Sequence, residues 1–68
     1  MKWLLKEYMA LRKIDSLKQL SRDTGIKEGT LHLRIQKPTT LKVMELVALD
    51  NVLHFEDSDL LRLSRGQV

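Results

Sequence analysis

The sequence predicts an all-α protein, a compact bundle of five helices, and three observations predict it. One Pro and three Gly in 68 residues leave few interruptions. The segments between those interruptions carry apolar residues three and four positions apart, the spacing of a helix face. The chain also offers no second alternating run with which a short strand could pair. Cysteine is absent, so neither a disulfide framework nor a thiolate metal site supports the fold. Apolar residues at 43% and charged residues at 31% describe a chain that folds by packing rather than a disordered one.

The first helix is predicted from Lys2 to Lys13. It places Trp3, Leu4, Tyr8 and Leu11 on one face and Lys6, Glu7 and Arg12 largely opposite. Trp3 and Tyr8 are read as core aromatics. The second helix begins at Ser16, whose hydroxyl can accept an amide of the next turn while Gln19 reaches back, the pattern of a capping box. Leu17 and Leu20 face inward, and Gly25 ends the helix near Thr24, because a sharp turn needs a residue free to adopt positive φ.

A third helix is predicted from Lys27 or Glu28 to about Gln36, held by Ile26, Leu31 and Ile35. Within it, Leu31-His32-Leu33-Arg34-Ile35 alternates apolar and polar, which in isolation is a strand pattern. Its brevity and its helical neighbours favour helix. Pro38 closes this helix, since the residue before a proline is driven out of the α region. Thr39 or Thr40 then caps a fourth helix from Leu41 to Leu53. That helix is apolar almost all round and so is expected to be enclosed on more than one side. Phe55 lies in the next connection. Glu56, Asp57, Ser58 and Asp59 open a last helix that runs to about Arg65 and ends at Gly66, with acids at the positive end of the helix dipole and arginines at the other.

Residues 17–36 are the informative part. Two short helices joined through Gly25, with Leu20 and Leu31 closing the corner and Ile26 plugging it, form a helix-turn-helix pattern. The free flank of the second helix of such a pair fits a DNA major groove. Charge is distributed accordingly: residues 1–42 hold ten Lys and Arg against four acids, and residues 43–68 hold two against five. The whole chain is +3, with a pI near 9.5.

Ser16 to Ile26, leading into Glu28-Gly29-Thr30-Leu31, then through a proline-containing loop into Leu41–Leu53 and Asp59-Leu60-Leu61, resembles the lambda-repressor-like helix-turn-helix proteins of phage Cro and repressor type. The likeness covers nearly the whole chain, so residues 1–68 read as one DNA-binding domain. Ser21 stands where that family usually has alanine, and Lys27 where a Ser or Thr cap is usual. The last apolar position of the third helix is Ile35 rather than Arg34. The resemblance implies a sequence-specific, double-stranded-DNA-binding transcriptional regulator of repressor type, from a phage or mobile element.

It further implies base contacts from Lys27, Glu28, Gly29, His32, Leu33 and Gln36. Lys27 would donate to guanine O6 or N7, Glu28 accept from cytosine N4, Leu33 meet a thymine methyl, and Gly29 let the backbone approach. Phosphate contacts would come from Ser16, Lys18, Gln19, Thr30, Arg34, Lys37, Thr39, Thr40 and Lys42. The apolar excess of the fourth and fifth helices (Leu46, Leu49 and Leu53 on one side, Val43 and Val47 on another, with Phe55 and Leu61) reads as a homodimer seam centred on Leu53, Phe55 and Leu61.

Other chemistry finds little support. A chain of this length buries only about 60% of the surface its unfolded form exposes, which leaves little room for a catalytic cleft. His32 and His54 lack the spacing and partners of a zinc site, and His54 reads as a hydrogen-bonded structural imidazole. The Glu56-Asp57-Asp59 cluster reads as a solvated helix start, and no serine has a nucleophile elbow or a base beside it. The sequence therefore predicts no enzyme, no cofactor, no metal and no small-molecule substrate. No apolar run approaches the length of a membrane span or signal core, so the expected location is cytoplasmic. The alternative function is a protein-binding helical module, an antirepressor or assembly factor, using the leucine-rich C-terminal half.

Overall fold

Five α-helices and one 3-10 turn make up residues 1–65, the part of the chain that this computed structural model describes. They are α1 (Lys2–Leu11), α2 (Leu17–Thr24), α3 (Glu28–Gln36), the 3-10 turn Pro38–Thr40, α4 (Val43–Leu53) and α5 (Asp57–Ser64). The alternating stretch 31–35 is helical, and no strand occurs among the described residues. The expected stop at Gly66 lies outside them. No helix of the described residues is long and apolar enough to cross a membrane.

Leu20 of α2, Leu31 of α3 and Leu49 and Leu53 of α4 are fully buried and form the centre of the core. Leu5, Tyr8, Ile14, Leu46, Phe55 and Leu63 surround them, so every helix contributes at least one buried side chain. Burying a leucine stabilises by about 1.5–3 kcal/mol, and these few side chains therefore carry much of the folding free energy.

The buried face of α1 differs from the expected one. Leu5 and Tyr8 point inward, whereas Trp3 is 74% exposed and Leu11 is exposed as well. Tyr8 anchors the helix. Its ring stands edge-on to Phe55 at 4.8 Å, its hydroxyl donates to Asp59 at 2.6 Å, and it accepts the Glu56 amide at 3.0 Å. Arg12 adds a bond from Nε to the Leu53 carbonyl at 3.0 Å. These contacts tie α1 to the junction of α4 and α5, and the core against which Leu4, Leu5 and Met9 pack sets its rotation.

The start of α4 also differs. Pro38, Thr39 and Thr40 take up the 3-10 turn, and the Thr40 hydroxyl bonds the Lys37 carbonyl at 2.7 Å instead of capping a helix. The helix begins at Val43, where the Glu45 carboxylate accepts the Lys42 amide at 2.9 Å. Only one side of α4 is enclosed, by Leu46, Leu49 and Leu53; Val43, Met44 and Val47 face solvent. At its far end His54 is exposed and adopts a left-handed backbone, φ 53°, so its part in the fold is to end the helix. Asp50 then accepts the Phe55 amide at 3.1 Å.

Candidate nucleic-acid interface

The turn between α2 and α3 is built from short polar side chains. Ser16 caps α2 by accepting the Gln19 amide at 3.2 Å, and the Gln19 side chain reaches back to the Asp15 amide at 3.3 Å, one residue beyond the expected partner. At the other end Gly25 sits at φ 76° and donates to the Ser21 carbonyl at 2.9 Å. Two hydroxyls latch the corner. Ser21 Oγ donates to the Ile26 carbonyl at 2.5 Å, and Thr24 Oγ1 donates to the Leu20 carbonyl at 2.8 Å while accepting the Ile26 amide at 3.2 Å. The serine that departs from the family's usual alanine therefore supplies a cross-turn bond.

Held this way, α3 packs on α2 through Leu31 and turns its other flank to solvent. Glu28, His32 and Gln36 lie one turn apart, and Gly29 and Leu33 form the adjacent row. All five are exposed, as is Lys27, which precedes the helix without a side-chain cap. Five of the six residues expected to read bases thus share one accessible face of α3, and the sixth, Lys27, is exposed just before it. His32 Nε2 and Gln36 Nε2 are 3.2 Å apart, a pairing that fixes the end of this face. Gly29 is informative because open space lies where its Cβ would be, so nothing within the protein requires glycine there.

Around this face, Ser16, Lys18, Lys37, Thr39 and Lys42 are exposed, and Gln19 and Thr30 are half-buried. Arg34, also expected to contact phosphate, is half-buried and paired within the protein. Its Nε bonds the Glu45 carboxylate at 2.9 Å, and both side chains are only 14% exposed. Its Nε thus makes an ion pair between α3 and α4. Burial alone would raise the Glu45 pKa, but the Lys42 amide and Arg34 together outweigh it and hold the carboxyl below its ordinary value. The pair joins α3 to α4 and so helps orient α3.

The expected dimer residues divide. Leu53 and Phe55 are buried against Tyr8 and the core and so are not available as a seam. Leu61 is 51% exposed and lines a shallow groove of about 440 Å³ between α4 and α5, with Val47 and Leu60. Sequence reasoning missed Glu45 and Met44. Glu45 has a local signal, three residues after the helix cap, but its pairing with Arg34 eleven residues earlier has none. Met44 is 84% exposed and joins Val43 and Val47 in an apolar face.

A family model described as Cro/C1-type HTH DNA-binding domain matches residues 4–65. No curated protein and no solved structure shows a significant match to the chain.

Proposed function

Because the chain belongs to the Cro/C1-type helix-turn-helix DNA-binding domain family, and is thus a DNA-binding regulator, we propose that it acts as a sequence-specific repressor of phage or mobile-element type. Its α3 seats in the major groove of double-stranded DNA. The observation that carries the reading is the exposed face formed by Lys27, Glu28, Gly29, His32, Leu33 and Gln36. These residue types can discriminate base edges: a cation for guanine, a carboxylate for cytosine N4, an apolar side chain for the thymine methyl. Ser16, Lys18, Gln19, Thr30, Lys37, Thr39, Thr40 and Lys42 are the proposed phosphate contacts, which fix register without reading sequence. The protein works by occupancy in the cytoplasm.

We propose further that two copies bind a two-fold site, with half-sites about 34 Å apart. The exposed apolar residues Val43, Met44, Val47 and Leu61 support a self-complementary seam on α4 and α5. The same surface supports the second reading, a protein-binding module. Leu61→Asp separates the two: loss of a sedimenting dimer supports the seam, and an unchanged monomer removes it. Selection of bound duplexes from a random pool at two salt concentrations tests the main reading. An inverted repeat is the expected product, and a pool with no enriched sequence contradicts it.

A further inference from the structure

A groove of about 650 Å³ runs between α1 and the α2–α3 pair, on the side of α1 away from its anchor at Tyr8. Its floor is aliphatic: Leu5, Met9, Ile14, Leu17 and Ile35. The volume falls within the range of roughly 300–1,000 Å³ typical of small-molecule sites. One rim carries Lys2 and Lys6, one helical turn apart, and Asp15 is the single acid among the described residues that line the groove. Lys6 Nζ lies 5.4 Å over the exposed Trp3 ring, which stands beside the groove and not in it, so an anion at this rim draws the ammonium off the ring and alters the indole's surroundings. The opposite rim is His32 and Gln36, two of the residues placed above on the reading face of α3.

We propose that this groove binds a medium-chain aliphatic carboxylate, with its chain along the floor and its carboxylate at Lys2 and Lys6, and that occupancy opposes DNA binding. An apolar floor with an excess of cation at one end selects an anion with an aliphatic body over a neutral lipophile or a small anion. A chain lying on Ile35 abuts His32 and Gln36 and competes with DNA for them. This last step rests on the DNA reading proposed above. By linkage, the factor by which the ligand weakens DNA binding is the factor by which DNA weakens ligand binding.

The test titrates the full chain, without DNA, with decanoate below its micelle-forming concentration, using calorimetry for affinity and the emission of the single tryptophan, Trp3, as a local report. One-site saturation is expected. Octanoate, shorter by two methylenes, binds about tenfold more weakly; decanol, which keeps the chain but not the charge, is weakened by about the same factor, and acetate shows no saturable binding. Lys2→Ala combined with Lys6→Ala weakens decanoate about tenfold, and Ala10→Phe, which fills the groove from an exposed position on α1, abolishes its binding. In the second arm, saturating decanoate lowers the affinity for duplex DNA. Absence of saturation, equal binding of decanol, or indifference to either the lysine pair or Ala10→Phe overturns the site. Bound decanoate that leaves DNA affinity unchanged overturns the coupling. Ligand binding is measured without DNA, so failure of the groove and failure of the DNA reading are told apart.

Discussion

Replacing Gly29 with alanine is expected to move stability and DNA binding in opposite directions. The residue is the second of α3, and a Cβ built there meets no protein atom within 4 Å. The added methyl therefore meets no steric resistance in the free protein. Alanine in place of glycine within a helix stabilises by roughly 0.5–1 kcal/mol, and the first turn lies at the low end, about 0.5 kcal/mol. For a domain of this size that raises Tm by about 2–4 °C. In the complex the same methyl would stand where α3 meets the base edges. An intruding methyl in a well-packed contact costs about 1–3 kcal/mol, which corresponds to at least about fivefold in Kd. Thermal melting by circular dichroism and a DNA titration at fixed salt measure the two effects on one preparation. A lower Tm would refute the reading of the free helix, and an unchanged Kd would remove Gly29 from the contact face.

Breaking the Arg34–Glu45 pair by Glu45→Ala leaves a largely buried guanidinium and an open α4 amide. About 2 kcal/mol of stability should be lost in chemical denaturation, between the values for exposed and fully buried pairs. Because the folded Glu45 pKa is lowered, its contribution is present above the ordinary value of 4.5 and disappears as pH falls through the folded value, so the variant's deficit should shrink in acid. Tyr8→Phe removes the hydroxyl that joins Asp59 and the Glu56 amide and should cost about 2 kcal/mol. The Asp59 hydrogen bond raises the Tyr8 pKa, so wild-type stability should decline as pH rises above 10.0, and in Tyr8→Phe this component should vanish. Ser21→Ala, the family's usual residue, should cost about 1 kcal/mol by releasing the Ile26 carbonyl, with DNA contacts unaltered.

The helix-turn-helix corner is legible because its determinants are local. Ser16 and Gly25 act within a turn, Leu20 and Leu31 follow the periodicity of the two helices that flank the turn, and the structure puts all four in the expected roles. The face of α1 is not local. Leu4, Leu5, Tyr8 and Met9 suit a helical stripe as well as Trp3, Leu4, Tyr8 and Leu11 do; Tyr8, common to both, is fixed by Asp59 and Glu56 about fifty residues away, and the choice is made by the core against which Leu4, Leu5 and Met9 pack. In α4, apolar residues all round signal burial, yet composition does not distinguish a second enclosing side within the chain from a face left open to another molecule. Leu53 lies on the side buried within the chain, whereas Val43, Met44 and Val47 face solvent. The exposed face of α3 follows from periodicity once 31–35 is taken as helix. Arg34 escapes that logic because its partner is on another element.

The most direct measurement is a titration of the isotopically labelled chain with a duplex recovered by selection, following each backbone amide. The largest shifts should fall on residues 27–36 and on the Lys37–Lys42 loop, with α1 and α5 little changed. Shifts confined to α4 and α5, with α3 unmoved, would contradict the placement of this helix in the groove.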